Sequence, residues 1–287
     1  MKAPELSYKL AGSVSEVIEL LATYGDDARV LAGGQSLMPT LNMRLSKPKL
    51  LLDINQLNAL KGISFEDGIV RVGALVRHAE IMRSTIISEN LPLIAEAMPY
   101  VAHVAVRNRG TFGGSIALAD PAAELPACVL ALEATIVVES VRGRRDIPAS
   151  DYFKGLFETE RRSDELLIEV RIPSIGANGV HVFSELSRRQ GDFAIAGVAC
   201  TAEIQGDTIS SARLVYFASE DRPTLATNAV AAITNQTWSA GIRAAALEAL
   251  GDDLEPMENL QGSSKFKLHL QRVLTGRALD QVMARAR

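Results

Sequence analysis

The spacing of apolar residues changes period several times along this chain of 287 residues. Val14, Val17, Ile18 and Leu21 recur at helical spacing. Ser13 stands where a cap belongs, and Glu16, three residues on, can complete a capping box. The pattern predicts a helix over 13–25 that Gly25 ends. Residues 29–32 read as a short strand running into Gly33-Gly34, after which Ser36 can cap a helix carrying Leu37, Leu41 and Leu45 on one side. Strands are expected over 49–54 and 68–73, and 77–101 reads as mostly helical with a break around Pro92. An apolar helix from Pro126 to about Leu132 precedes strands over 135–139 and 166–172.

Beyond residue 173 the pattern changes. Residues 174–179 read as a linker. Three strand-like runs follow (180–186, 194–204 and 208–218), the last two joined by a Gln205-Gly206-Asp207 hairpin turn. Helices over 239–250 and 264–285 close the chain. Strands and helices segregated in this way indicate an α+β protein with a larger first domain and a smaller sheet-plus-helices domain.

Composition narrows the function. An apolar fraction of 47% with 22% charged residues is ordinary for a globular enzyme. A net charge of −4 gives no reason to expect nucleic acid or an anionic membrane as partner. No apolar run approaches the roughly 18 residues that span a bilayer, and the first residues lack a secretory core, so the cytoplasm is the expected location. Two cysteines, Cys128 and Cys200, lie in apolar runs, and the four histidines are scattered. An iron–sulfur cluster normally takes four cysteine ligands. The chain therefore offers no metal site of its own.

The candidate chemistry lies in two glycine doublets 80 residues apart, Ala32-Gly33-Gly34-Gln35-Ser36 and Thr111-Phe112-Gly113-Gly114-Ser115. Glycine permits positive φ and lets a ligand approach the main chain. Successive N–H groups in such turns form an anion-binding concavity. Neither doublet has the Rossmann or P-loop spacing, and Gly34-Gln35-Ser36-Leu37-Met38 lacks the closing glycine of a nucleophile elbow. What remains is a dinucleotide gripped by two separate loops.

Four stretches in this order carry a resemblance over essentially the whole chain. They are 31–39, 107–115, 119–126 (Ala-Asp-Pro-Ala-Ala-Glu-Leu-Pro) and 188–194 (Arg-Arg-Gln-Gly-Asp-Phe-Ala). The chain resembles the medium, FAD-binding subunit of molybdenum hydroxylases of the xanthine dehydrogenase/carbon monoxide dehydrogenase family. The resemblance implies an FAD-binding domain of the vanillyl-alcohol-oxidase/p-cresol-methylhydroxylase type over 1–175, with subdomains of about 1–55 and 56–175. A domain of the carbon monoxide dehydrogenase flavoprotein C-terminal type is implied over 176–287. Also implied are a large partner subunit carrying a molybdenum–pterin cofactor and a small one carrying two iron–sulfur clusters, together a dimer of heterotrimers. The FAD of this chain would pass electrons from the clusters to an external acceptor.

By matching positions, Gly33, Gly34, Gln35 and Ser36 should hold the pyrophosphate through main-chain N–H groups and the Ser36 hydroxyl, with Leu31, Ala32 and Leu37 beside them. Thr111, Gly113, Gly114 and Ser115 should close over the other side. Glu124 matches an acidic position near the adenosine, Leu166 an apolar contact to the flavin, and Asp192 and Phe193 a loop beside the isoalloxazine ring. No residue of the chain need act as acid or base, because the flavin carries the redox chemistry. Each assignment has a structural rival. Glu124 could cap the following helix, Phe193 could be a core aromatic at the domain interface, and Leu166 could be strand core; the arginine pairs 107/109, 161/162 and 188/189, which could dock a partner subunit, are most simply solvated or salt-bridged. Relatives that oxidise carbon monoxide usually carry His at position 35 and Asn at 115, so Gln35 and Ser115 lean toward N-heterocyclic or aromatic substrates. Glu185 stands where some relatives have lysine. A self-contained flavin oxidoreductase of the same fold, acting directly on a small substrate, is the alternative.

Overall fold

A computed structural model describes residues 2–176 and 179–286. Among the described residues three larger sheets are stacked with helices between and beside them, and a two-stranded pair, Phe153–Gly155 with Glu158–Thr159, stands apart. The first sheet is parallel, with Leu50–Asp53 between Ser7–Leu10 and Ala28–Leu31. The second has five antiparallel strands, ordered Ile63–Glu66, Ile69–Gly73, Leu166–Pro173, Thr135–Ser140, Gly143–Pro148. In its central strand Leu166 and Ile168 face the first sheet's core, whereas Leu167, Val170 and Ile172 face the other way. A register shift between Leu167 and Glu169 produces that change of sides. Irregularities of this kind re-aim side chains near functional sites.

Helix Val14–Tyr24 fills the space between the first two sheets, burying Val17, Ile18 and Leu21. Its Ser13 Oγ accepts the Glu16 N–H at 3.1 Å, as expected. The reciprocal half of the capping box is displaced: the Glu16 carboxylate accepts from Gly12 N at 2.7 Å and pairs with Lys9. Gly25 ends the helix at φ +49.

On the far side of the second sheet lies a helical layer that includes Thr85–Asn90, Pro92–Ala97, Phe112–Leu118 and Glu124–Ala131. The stretch expected to be mostly helical over 77–101 is three short helices. Leu91 leaves helical geometry just before Pro92, which opens the third at its first position. The helix expected after Pro126 starts earlier, at Glu124, with Pro126 tolerated in its first turn.

This helical layer is shared with the third sheet, in which Gly179–Leu186, Ala196–Gln205 and Thr208–Phe217 are antiparallel neighbours. Ala199, Val215 and Phe217 join the central core, while Val198, Cys200, Leu214 and Tyr216 face helices Ala240–Asp253 and Ser264–Arg285. One apolar core thus runs continuously from the second sheet to the third. Of the expected linker, Ala177 and Asn178 lie outside the described residues, and Gly179 already belongs to the strand.

Candidate cofactor site

A cleft of about 880 Å³ opens between the first sheet, the second sheet and a loop from the C-terminal region. That lies within the range of roughly 300–1,000 Å³ typical of cofactor and ligand pockets. Ala32, Gly33, Gly34, Gln35, Ser36, Leu37, Thr111, Gly113, Gly114, Ser115, Glu124, Leu166, Asp192 and Phe193 all line it. Leu31 does not. It faces a smaller notch of about 530 Å³ on the outer side of the same turn, with Asp53, Asn55 and Arg109.

The two glycine turns are chemically unequal. Gly34 sits at φ +71, and the N–H groups of Gly33, Gly34, Gln35 and Ser36 meet no acceptor among the described residues. Four consecutive donors are therefore left to a ligand. Ser36 does not cap the helix that follows. Its hydroxyl is exposed and makes no cap bond, because its backbone is already helical and carries the side chain away from the first turn. That helix is only Leu37–Asn42, and Leu45 lies outside it and is exposed.

In the second motif Gly113 and Gly114 form the first turn of helix Phe112–Leu118 rather than a loop, and its donors are already spent. Phe112 N donates to Val76 O at 2.8 Å, Gly113 N to Ala74 O at 3.0 Å, and Gly114 N to the capping Thr111 Oγ1 at 3.1 Å. What this turn offers the cleft is room and the Ser115 hydroxyl. A Cβ on Gly113 would fall 2.6 Å from Ala74 Cα, so the glycine is required by close packing.

The turns touch each other. A Cβ on Gly33 would come 2.5 Å from Arg109 O and 2.8 Å from Gly110 Cα, both backbone atoms. His78 fastens the second turn from beneath: its N–H donates to Gly110 O at 3.0 Å, and its Nε2 lies 3.0 Å from Thr111 O. A carbonyl accepts only, so Nε2 carries the proton. Burial, aided by the positive charge of Arg107 and Arg77, pushes this imidazole down to about 4. It is neutral at physiological pH.

One end of the cleft is acidic, lined by Asp120 and Glu124. Glu124 opens its helix without capping it and is 7% exposed. Burial, with the nearby Asp120 carboxylate, pushes it up to about 7. Behind the lining, on a strand of the third sheet, Glu185 has both carboxyl oxygens buried and unpartnered. Burial, followed by repulsion from Glu124, pushes it up to about 8. A carboxyl held neutral is a hydrogen-bond donor.

Leu166 is buried in the core between the first two sheets while also bordering the cleft. Phe193 is 62% exposed, which excludes a core aromatic. None of the six paired arginines makes an ion pair among the described residues. Arg107 Nη1 donates to Val101 O and Ala102 O, and Arg161 Nη1 to Glu165 O, each bracing a carbonyl beside the cleft. His78 and His103 line the cleft although the sequence assigned them no role, and Arg161, noted only as one of a pair, lines it too. Isolated histidines and arginines carry no spacing that marks them. Among the described residues no cluster could hold a metal, and no helix is long and apolar enough to cross a membrane.

Free donors on a glycine turn, a second turn in contact with it and a long, partly apolar cleft fit a dinucleotide diphosphate. Residues 4–175 match the FAD binding domain in molybdopterin dehydrogenase, and residues 181–282 match the CO dehydrogenase flavoprotein C-terminal domain. The chain belongs to this flavoprotein family. It is an FAD-binding oxidoreductase chain of the molybdenum-hydroxylase medium-subunit type. The flavoprotein is 40% identical over 289 residues to the 6-hydroxypseudooxynicotine dehydrogenase complex subunit alpha of Paenarthrobacter nicotinovorans, covering 100% of this chain and 97% of that protein. It superposes on carbon monoxide dehydrogenase from Hydrogenophaga pseudoflava with a TM-score of 0.97 at 36% identity, covering 99% of both chains. For quinoline 2-oxidoreductase from Pseudomonas putida 86 the TM-score is 0.94 at 36% identity, covering 100% of this chain and 99% of that one.

Proposed function

We propose that the cleft holds FAD with its diphosphate on the N–H groups of Gly33, Gly34, Gln35 and Ser36, closed from the other side by Thr111, Gly113, Gly114 and Ser115. The observation that carries this reading is the row of four unsatisfied donors on one turn, packed against a second turn whose donors are spent. Ala32 and Leu37 flank the anion, and Leu31 supports the turn from outside. Glu124 lies toward the adenosine portion. Leu166, Asp192 and Phe193 border the flavin ring. Bound FAD supplies the redox chemistry. The chain's own residues bind it and place the buried Glu124 carboxyl, with its raised proton affinity, at one end of the cleft.

In this reading residues 1–175 form the FAD domain, with parts at about 1–55 and 56–175, and 176–287 the C-terminal domain. The chain works in a complex with a small subunit bearing two iron–sulfur clusters and a large molybdenum–pterin subunit, assembled as a dimer of heterotrimers in the cytoplasm. Electrons pass from the clusters through this chain to an external acceptor. Gln35 and Ser115 favour an N-heterocyclic or aromatic substrate for the complex. Two of the similar proteins are named for 6-hydroxypseudooxynicotine and quinoline, which supports that class, and the third is named for carbon monoxide.

The test is the visible spectrum of the purified chain and the mass of the flavin released on denaturation. The expected result is one FAD per chain. A colourless chain that rejects added FAD, or one releasing FMN, refutes the reading. Turnover of substrate by the chain alone would refute the dependence on partners.

A further inference from the structure

Two side chains outside the cleft connect the turns on either side of it. Asn55 follows strand Leu50–Asp53, and its Nδ2 donates to Ala32 O at 2.8 Å and to Asp53 Oδ1 at 2.7 Å. The first turn is thereby fixed at its entrance. The Asn55 Oδ1 accepts Arg77 Nη2 at 2.5 Å. The other arm of the same guanidinium, Nη1, donates to Arg109 O. That carbonyl is the atom against which Gly33 packs, where a Cβ would meet it at 2.5 Å. Arg77 is itself anchored: its N–H donates to Glu80 Oε2 at 2.7 Å, and its backbone bridges to Thr111. It forms no ion pair among the described residues, so its planar fork is spent on two neutral oxygens belonging to the two halves of the clamp.

We propose that Asn55 and Arg77 are positioning residues for FAD: a hydrogen-bonded strap that sets the separation of the two glycine turns, and through it the affinity for the diphosphate. Neither residue borders the main cleft, so the strap acts through Ala32 and Arg109 rather than by touching the cofactor. The geometry requires a donor with two arms. Lysine's compact ammonium lacks the rigid fork that meets Asn55 Oδ1 and Arg109 O with separate nitrogens. The inference rests on the FAD reading above.

The experiment titrates FAD into the flavin-depleted full chain, for wild type, Arg77→Lys, Arg77→Met, Asn55→Ala and the Arg77→Met/Asn55→Ala double variant, alongside hydrogen exchange of the Met38 and Thr40 amides, which bond to the first turn. Losing a charge-assisted bond on either arm should weaken FAD binding roughly tenfold or more. Arg77→Lys should recover little of it. The double variant should be no weaker than the worse single variant, because either change cuts the same strap. Exchange at Met38 and Thr40, whose amides donate to Gly34 O and Ser36 O, should quicken in the depleted variants while distant core amides stay protected, a pattern general destabilisation would not give. If Arg77→Met does not fold, Arg77→Lys and Asn55→Ala carry the test. Binding within about twofold of wild type for Arg77→Lys and Asn55→Ala, or fully additive losses in the cycle, overturns the strap. Failure of the wild-type chain to bind FAD overturns the parent reading instead, and the exchange comparison then judges the strap by itself.

Discussion

Gly191 lies so tightly on His103 that a Cβ there would fall 2.6 Å from the imidazole Nδ1 and Cε1 and 3.0 Å from Ala102 O. The contact joins the loop carrying Asp192 and Phe193 to the segment that leads into the second glycine motif. Both sides of it border the cleft. Gly191 is at φ +85, a region that costs other residues about 1–2 kcal/mol. The imidazole is exposed and can swing aside, but the Ala102 carbonyl cannot. Gly191→Ala should therefore lift the loop without unfolding the chain. Limited trypsin digestion reads this directly, because Arg188 and Arg189 lie in the loop. Cleavage there should accelerate several-fold, with the melting temperature within about 2–4 °C of wild type, the shift expected for roughly 1 kcal/mol. An unchanged cleavage rate would show that the contact does not hold the loop.

How much of this was legible in the sequence follows from what each residue reports locally. Gly34, at positive φ between a strand and a helix, is a local requirement and was readable as a turn. Gly113 was misread as a loop residue. Its glycine is demanded by the backbone of Ala74, 39 positions earlier, and a tertiary contact of that kind has no local signature. The edge strands Ile63–Glu66 and Gly143–Pro148 escaped notice because both are mostly exposed: the first alternates for only four residues, and the second is largely polar. The contacts of Gly191 with His103 and of Arg77 with Asn55 join separate parts of the chain and were invisible. The four motifs located the cleft, and the fold revealed which of its two turns has donors to give.

Gly33→Ala should abolish tight FAD binding. The added methyl meets backbone atoms at 2.5 Å and 2.8 Å, and neither can retreat without parting the two turns. An overpacking cost of about 1–3 kcal/mol, felt at the site of the diphosphate, corresponds to roughly a ten- to hundredfold weaker complex. Gly176→Ala meets nothing within contact distance and serves as control. Fluorescence titration of the depleted chains measures both. Equal affinities for the two variants would show that the contact between the turns is irrelevant to the cofactor.

Cys128 and Cys200 are free and fully buried, one in the central core and the other facing the C-terminal helices. Burial raises both thiols, Cys200 to about 12 and Cys128 well above its ordinary value. The thiolate is the reactive form, so Ellman's reagent at pH 8 should titrate no thiol in the native chain and two in guanidinium. A thiol reacting in the native state within minutes would mean that a core layer opens far more readily than its packing implies.

Glu185 supplies a pH test with a definite sign. Its folded-state value is raised to about 8 and that of Glu124 to about 7, against an ordinary value of 4.5. Between pH 4.5 and 8 the unfolded chain surrenders these protons first, so the folded state binds more protons and loses stability as pH rises. Replacing Glu185 by glutamine keeps the shape of the neutral acid and removes its titration. Wild type and Glu185→Gln should melt together near pH 5, where the native carboxyl is protonated in any case. By pH 8.5 the variant should melt higher. The two oxygens are buried but the residue as a whole is only half-buried, and solvent screening should leave a gap of a few degrees rather than the full value of the shift. Differential scanning calorimetry across this range decides it. Parallel melting curves would mean that the unpartnered oxygens of Glu185 reach water in solution.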